Sequence, residues 1–121
     1  MNSDSSQSKS SAAESRTEIV VFVTASSMEQ AEKIARSVVE SGLAACANIF
    51  SPINSIYMWE QKMSEDSEVL MILKTKSNLF DPLAEAVKRL HTYQVPEIIA
   101  LPIVKATEDY LNWMTANTRK V

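Results

Sequence analysis

Ile19-Val-Val-Phe-Val23 is a continuous run of β-branched and aromatic residues. An apolar run without polar alternation predicts a strand, Glu18–Thr24, buried on both faces. Ser26 or Ser27 follows as a helix cap, with Glu29 or Gln30 placed to complete a capping box. Ala31, Ile34, Ala35 and Val38 then recur at helical spacing and predict the inner face of that helix. Gly42 is the only glycine in the chain and stands where a helix C-terminus turns left-handed.

Ala44–Phe50 reads as a strand of small residues, and Pro52 marks a bend or an edge position. Extended structure resumes from Ile53 to Trp59, with Tyr57 and Trp59 on one face and Ile56 and Met58 on the other. The polar stretch Glu60–Glu65 is the expected turn, and Glu68–Lys76 returns as the second arm of a hairpin. On that arm Glu68, Leu70, Ile72, Lys74 and Lys76 share a face. Asp81-Pro82 fits an N-cap followed by a first-turn proline. Leu79, Leu83, Ala86, Val87 and Leu90 form the stripe of this second helix, and Lys88, Arg89 and His91 crowd its C-terminal end, where cations complement the dipole. A strand over Ile98–Val104 and a last helix capped by Thr107, with Tyr110, Leu111 and Met114 turned inward, complete the pattern.

The order β-α-β-β-α-β-α predicts an α+β domain whose first six elements form the split βαβ, or ferredoxin-like, arrangement. Both helices of that unit cover one sheet face. The strands carry large apolar residues in both alternating registers, so the uncovered face should be apolar and predicts a homo-oligomer.

Composition narrows this picture. Residues 1–17 hold seven serines and no large aliphatic residue beyond Met1, which predicts a disordered tail and leaves 18–121 as one domain. The tail has no apolar core of a secretory signal and too many acids for a transit peptide. No apolar run is long enough to cross a membrane. A net charge of −3 with scattered basic residues excludes nucleic acid as an expected partner. One cysteine, Cys46, permits no internal disulfide and suits a reducing compartment, with the cytoplasm as the expected location. Its alanine neighbours predict a buried core thiol.

Candidate chemistry concentrates in His91-Thr-Tyr-Gln-Val-Pro-Glu-Ile98, between the second helix and the last strand. Proline fixes the backbone there, and a histidine, a tyrosine and an acid sit close together in a loop. No Ser/His/Asp or Cys/His constellation accompanies them, so an enzyme is not expected. The loop after the first strand, Thr24-Ala-Ser-Ser27, lacks the arginine with which acylphosphatases of this architecture hold phosphate.

Leu43-Ala-Ala-Cys-Ala-Asn-Ile49, Tyr57-Met-Trp-Glu60, Glu68 with Met71-Ile-Leu-Lys-Thr75, and His91–Ile98, in that order and spacing, resemble the CutA family of divalent-cation tolerance proteins. The resemblance spans about residues 18–117. It implies a homotrimer with sheets packed around a three-fold axis, similar in design to PII signalling proteins. It also implies a non-enzymatic link to tolerance of copper and other divalent cations, with no cofactor required. Two departures stand out. Gln61 replaces a usual glycine. Of the cysteine and paired histidines proposed as copper ligands in a bacterial member, the matching positions here are Val23, Leu90 and His91, so only His91 is kept. A lone imidazole is a poor metal site, and His91 as a helix-end residue fixing the hinge is the competing reading.

The resemblance also implies that Trp59, Glu68, Lys74, Tyr93, Pro96 and Glu97 line clefts between subunits. An aromatic wall with an acid and a base would suit a small polar ligand. The same residues would serve as interface anchors. A PII-like ligand sensor with a protein partner is the alternative function, weakened by the short hairpin link that leaves no room for a long mobile loop.

Overall fold

The computed structural model describes residues 18–120. The serine-rich segment 1–17, expected to be a tail, lies outside the described residues. Strands β1 (Glu18–Ala25), β2 (Cys46–Trp59), β3 (Lys62–Lys76) and β4 (Ile98–Pro102) form one antiparallel sheet in the order β2-β3-β1-β4. Helices α1 (Met28–Glu40), α2 (Phe80–Leu90) and α3 (Glu108–Ala116) complete a mixed α+β fold.

Side-chain alternation divides the sheet cleanly. Ile19, Val21, Val23 and Ala25 of β1 and Val69, Met71 and Leu73 of β3 are buried against Ile34 and Val38 of α1 and Leu83 and Val87 of α2. These residues form the core. Thr75 is its polar exception, and its hydroxyl donates to the Leu43 carbonyl at 2.6 Å.

Helix α1 starts and stops where its residues dictate. The Ser27 hydroxyl accepts from the Gln30 N–H at 3.1 Å, satisfying one of the donors a helix start leaves open. At the other end Gly42 has φ +75°. Its N–H reaches the Val39 carbonyl and the Leu43 N–H reaches Val38, the paired bonds of a Schellman stop. A side chain at Gly42 would also press on the Arg119 backbone, 3.2 Å from the added carbon.

Several boundaries differ from the sequence pattern. The hairpin turn is only Glu60-Gln61, and β3 begins at Lys62 rather than after a six-residue link. Apart from Met63, residues 62–67 are polar, because this arm extends past β1 and pairs with β2 alone, so it has no core face to announce. Asp81 does not cap α2; a 3₁₀ turn over Ser77–Leu79 leads into the helix at Phe80. Asp81 and Pro82 still lie in the first turn, where an acid complements the dipole and a missing N–H is harmless. Strand β4 ends at Pro102, and Tyr110 is partly exposed instead of turned inward, beside Trp113 and beneath Lys74. Cys46 is half-buried at the start of the edge strand, outside the core cluster. The first residue of an edge strand has no neighbour on one side to cover it.

Pro52 behaves as expected on that edge. Phe50 pairs with Leu70 and Ile53 with Glu68, so two residues of β2 oppose one of β3 in a bulge. Beyond the bulge, odd-numbered residues of β2 take the face that even-numbered ones held before it.

Glu60 and Gln61 have φ of 50° and 67°, the left-handed pair that a two-residue hairpin needs and that side chains resist. Replacing Gln61 with glycine should therefore stabilise the protein by about 0.5–1 kcal/mol. Denaturant unfolding would measure it, and no gain would mean the turn carries no strain.

Candidate functional site

The bulge turns Tyr57 and Trp59 toward the same face as Asp66 and Glu68, whose strand they pair with. The end of β1 at Thr24 lies beside that arm, and the hinge after α2 folds back over it. Between them is a cleft of about 510 Å³ lined by Thr24, Ser55, Ile56, Tyr57, Trp59, Glu68, Tyr93, Gln94, Val95 and Glu97.

His91 sets the hinge. Its Nδ1 accepts from the Tyr93 N–H at 3.0 Å, so Nδ1 is the unprotonated nitrogen. Nε2–H must then be the donor to the Thr24 carbonyl, 2.6 Å away. The imidazole is a neutral bracket between the hinge and β1, with both nitrogens engaged. Its ring also lies 4.6 Å, centroid to centroid, from that of Tyr93.

Tyr93 continues the chain of contacts, its hydroxyl donating to Glu68 Oε2. Glu68 is only 9% exposed, so this bond meets a need: a buried carboxylate requires donors. Burial foremost, then the bond to Glu68 and its negative charge, raise the Tyr93 pKa beyond the ordinary range for a phenol. Tyr57 repeats the arrangement nearer solvent by donating to Asp66, and that bond foremost raises its pKa. Both phenols are thus fixed as donors to carboxylates.

Of the residues singled out from sequence, Trp59, Glu68, Tyr93 and Glu97 come together in the cleft. Pro96 does not line it and acts on the backbone between Val95 and Glu97, which do. Lys74 is elsewhere. Six residues along β3 from Glu68, it stands about 20 Å away by strand rise, with its ammonium 5.8 Å from the Tyr110 ring centre. Within one protomer Glu68 and Lys74 therefore do not meet; the expected pairing is across a cleft between subunits. Tyr57 and Asp66 were missed. Their signal was parity, since each lies two residues from a chosen site residue on the same strand face. His91 as a metal ligand is also not supported, because a metal would need a nitrogen lone pair that the Tyr93 N–H already occupies. Among the described residues, no three His, Cys, Asp or Glu side chains group as a metal site.

Tyr93→Phe should cost about 1–3 kcal/mol, because Glu68 would lose its donor. The raised pKa sets the pH dependence. Its contribution is complete below the ordinary phenol value of 10.0 and is lost as pH climbs through the raised value. Alkaline unfolding curves of both proteins should therefore converge above that pH; parallel curves would show that the phenol–carboxylate bond is not formed.

The profile of the CutA1 divalent ion tolerance proteins matches residues 19–117. The chloroplastic CutA protein of Arabidopsis thaliana is 48% identical over 101 residues, covering 84% of this chain and 56% of that protein. The chain thus spans little more than half the length of that relative. The divalent-cation tolerance protein CutA of Thermus thermophilus is 48% identical over 101 residues, 84% of this chain and 98% of the relative. A solved structure of the divalent cation tolerance protein from Thermus thermophilus superposes with a TM-score of 0.83 at 47% identity, over 84% of this chain and 99% of that one. A structure named as the periplasmic divalent cation tolerance protein CutA of Archaeoglobus fulgidus gives 0.81 at 40% identity, over 83% and 97%. With sequence and fold agreeing over nearly all the described residues, the chain belongs to the CutA1 divalent-cation tolerance family.

Proposed function

We propose that this protein is a non-enzymatic homotrimer of ferredoxin-like protomers that serves in tolerance of divalent cations, copper among them. The observation that carries the assembly is the sheet face opposite α1 and α2. Phe50, Ile99 and Leu101 are each about half exposed there, flanked by half-buried Val20, Phe22, Leu70 and Ile72. A contiguous apolar sheet face of this kind favours burial against further copies. The role in cation tolerance rests on the names of the relatives. The non-enzymatic reading is supported by a histidine bonded at both nitrogens and a cysteine placed away from the cleft. Copper or another divalent cation would act weakly or indirectly, not through His91. The single cysteine supports the cytoplasm as the compartment, although two relatives are named as chloroplastic and periplasmic.

A second reading is favoured by the cleft itself. Its size lies within the usual range for small-ligand sites, and Tyr57, Tyr93 and Glu68 in its walls are held in place by hydrogen bonds. In this reading the trimer senses a small ligand in the manner of PII proteins. The two-residue turn Glu60-Gln61 offers no long loop for a protein partner, so a partner would meet some other surface.

Light scattering at micromolar concentration should give three times the 13.5 kDa chain mass. Phe50→Lys or Ile99→Asp should shift it toward one chain mass, and a wild-type monomer would overturn the assembly. Calorimetric titration with copper should give the same isotherm for the wild type and His91→Ala, although the variant should lose about 1–3 kcal/mol of stability. Copper binding lost only in the variant would reinstate His91 as a ligand.

A further inference from the structure

Glu68 presents an unusual balance. It is nine-tenths buried, yet no Lys or Arg among the described residues pairs with it. Tyr93 satisfies Oε2, while Oε1 has no hydrogen bond to any described residue. Oε1 is not sealed from solvent, so this carboxylate presents one open acceptor without a compensating cation to the cleft it lines. The rest of the cleft deepens the imbalance. Glu97 lines it, Asp66 stands behind the Tyr57 hydroxyl, and no basic side chain is in the lining. Lys62, opposite Trp59 in the ladder, forms no ion pair with any of the three acids.

The walls indicate which cation fits. Tyr57, Trp59 and Tyr93 supply three aromatic rings to the cleft. Aromatic faces attract diffuse, weakly hydrated cations and favour ammonium groups carried on carbon. A hard metal ion needs several oxygen ligands at once, and these acids do not group as a metal site. An anion would face the carboxylates of Glu68 and Glu97 with no cationic side chain in the lining to offset them.

We propose that the cleft binds a small organic ammonium ion, its charged nitrogen against Glu68 and its carbon body among Tyr57, Trp59 and Tyr93. This rests on the small-ligand reading of the cleft and names the class of ligand. A primary ammonium would donate to the open Glu68 oxygen, and the rings would cover its methylene or aryl part. Glu97, at the exposed side, would add attraction without a fixed contact.

The test uses the full chain in its native oligomeric state, with three probes of one shape: benzylammonium, benzyl alcohol and benzoate. Calorimetry or ligand-observed NMR should find benzylammonium bound at least about ten-fold more tightly than either other probe, a preference that falls as salt is added. Glu68→Gln keeps the shape and an acceptor for Tyr93 and should remove most of that preference. Should Glu68→Gln fail to fold, Glu97→Gln at the exposed rim should still weaken benzylammonium several-fold and leave benzyl alcohol unchanged. Equal or tighter binding of benzyl alcohol or benzoate overturns the proposal but leaves the cleft as a small-ligand site. So does Glu68-dependent binding of Mn²⁺ with no binding of benzylammonium. No binding of any probe up to about 10 mM, where even weak sites are seen, overturns both.

Discussion

One extra residue in β2 decides what this protein can present to a ligand. Side chains of a strand alternate with a period of two, so inserting one residue moves everything beyond it to the opposite face. Without the bulge at Ser51-Pro52, Tyr57 and Trp59 would lie on the opposite face from Asp66 and Glu68. With it, aromatic and acidic side chains meet on one surface, and Ile56, Met58 and Met63 take the other. The bulge sits on the edge strand, where a proline without an N–H breaks no essential ladder bond. The cost in pairing is small and the change of face is complete.

The two surfaces of the sheet then divide the work. One face, with α1 and α2, holds a core that is closed except for Thr75, whose hydroxyl finds a carbonyl partner. The other keeps Phe50, Ile99 and Leu101 in water. A domain of about 100 residues has little apolar area to spare for its own stability. Leaving such residues uncovered would be wasteful for a monomer and is sensible for a chain that completes its burial with further copies. The hairpin arm, paired on one edge only, leaves Ile56, Met58 and Met63 exposed on the opposite face from Phe50, beyond the reach of the core.

Much of this was legible in the chain because single residues had only one use. Gly42 and Ser27 marked the ends of α1 by the backbone geometry and the hydroxyl that helix termini require. The apolar run Ile19–Val23 and the stripes of both long helices fixed the core. The hairpin arm was read too short because residues 62–67 have no buried side to create a period. Lys74 shares a strand face with Glu68 but not its cleft within one protomer, because parity reports a face, not a distance along it, and a strand rises about 3.3 Å per residue. Cys46 looked buried from its alanine neighbours, whereas its exposure depends on which strand forms the edge, a property of the whole sheet. The pairings Tyr57–Asp66 and Tyr93–Glu68 depend on the bulge and on the fold of the hinge. Neither is visible in local sequence.

The hinge histidine ties these features to the family's association with metals, and it does so by competition. Thr24 offers a carbonyl that needs a donor, and Tyr93 offers an N–H that needs an acceptor. Neutral imidazole is the one ring side chain that supplies both at once. A cation that coordinated Nδ1 would take the lone pair used by the Tyr93 N–H and leave that donor unsatisfied, at a cost of about 1–3 kcal/mol if it stayed buried. The same event would loosen Tyr93, and with it the hydroxyl that satisfies Glu68. Metal at His91 and an ordered cleft are therefore opposed states of one small network. The network accounts for the order of the cleft directly, and any influence of a metal on this chain has to overcome it or act at another place.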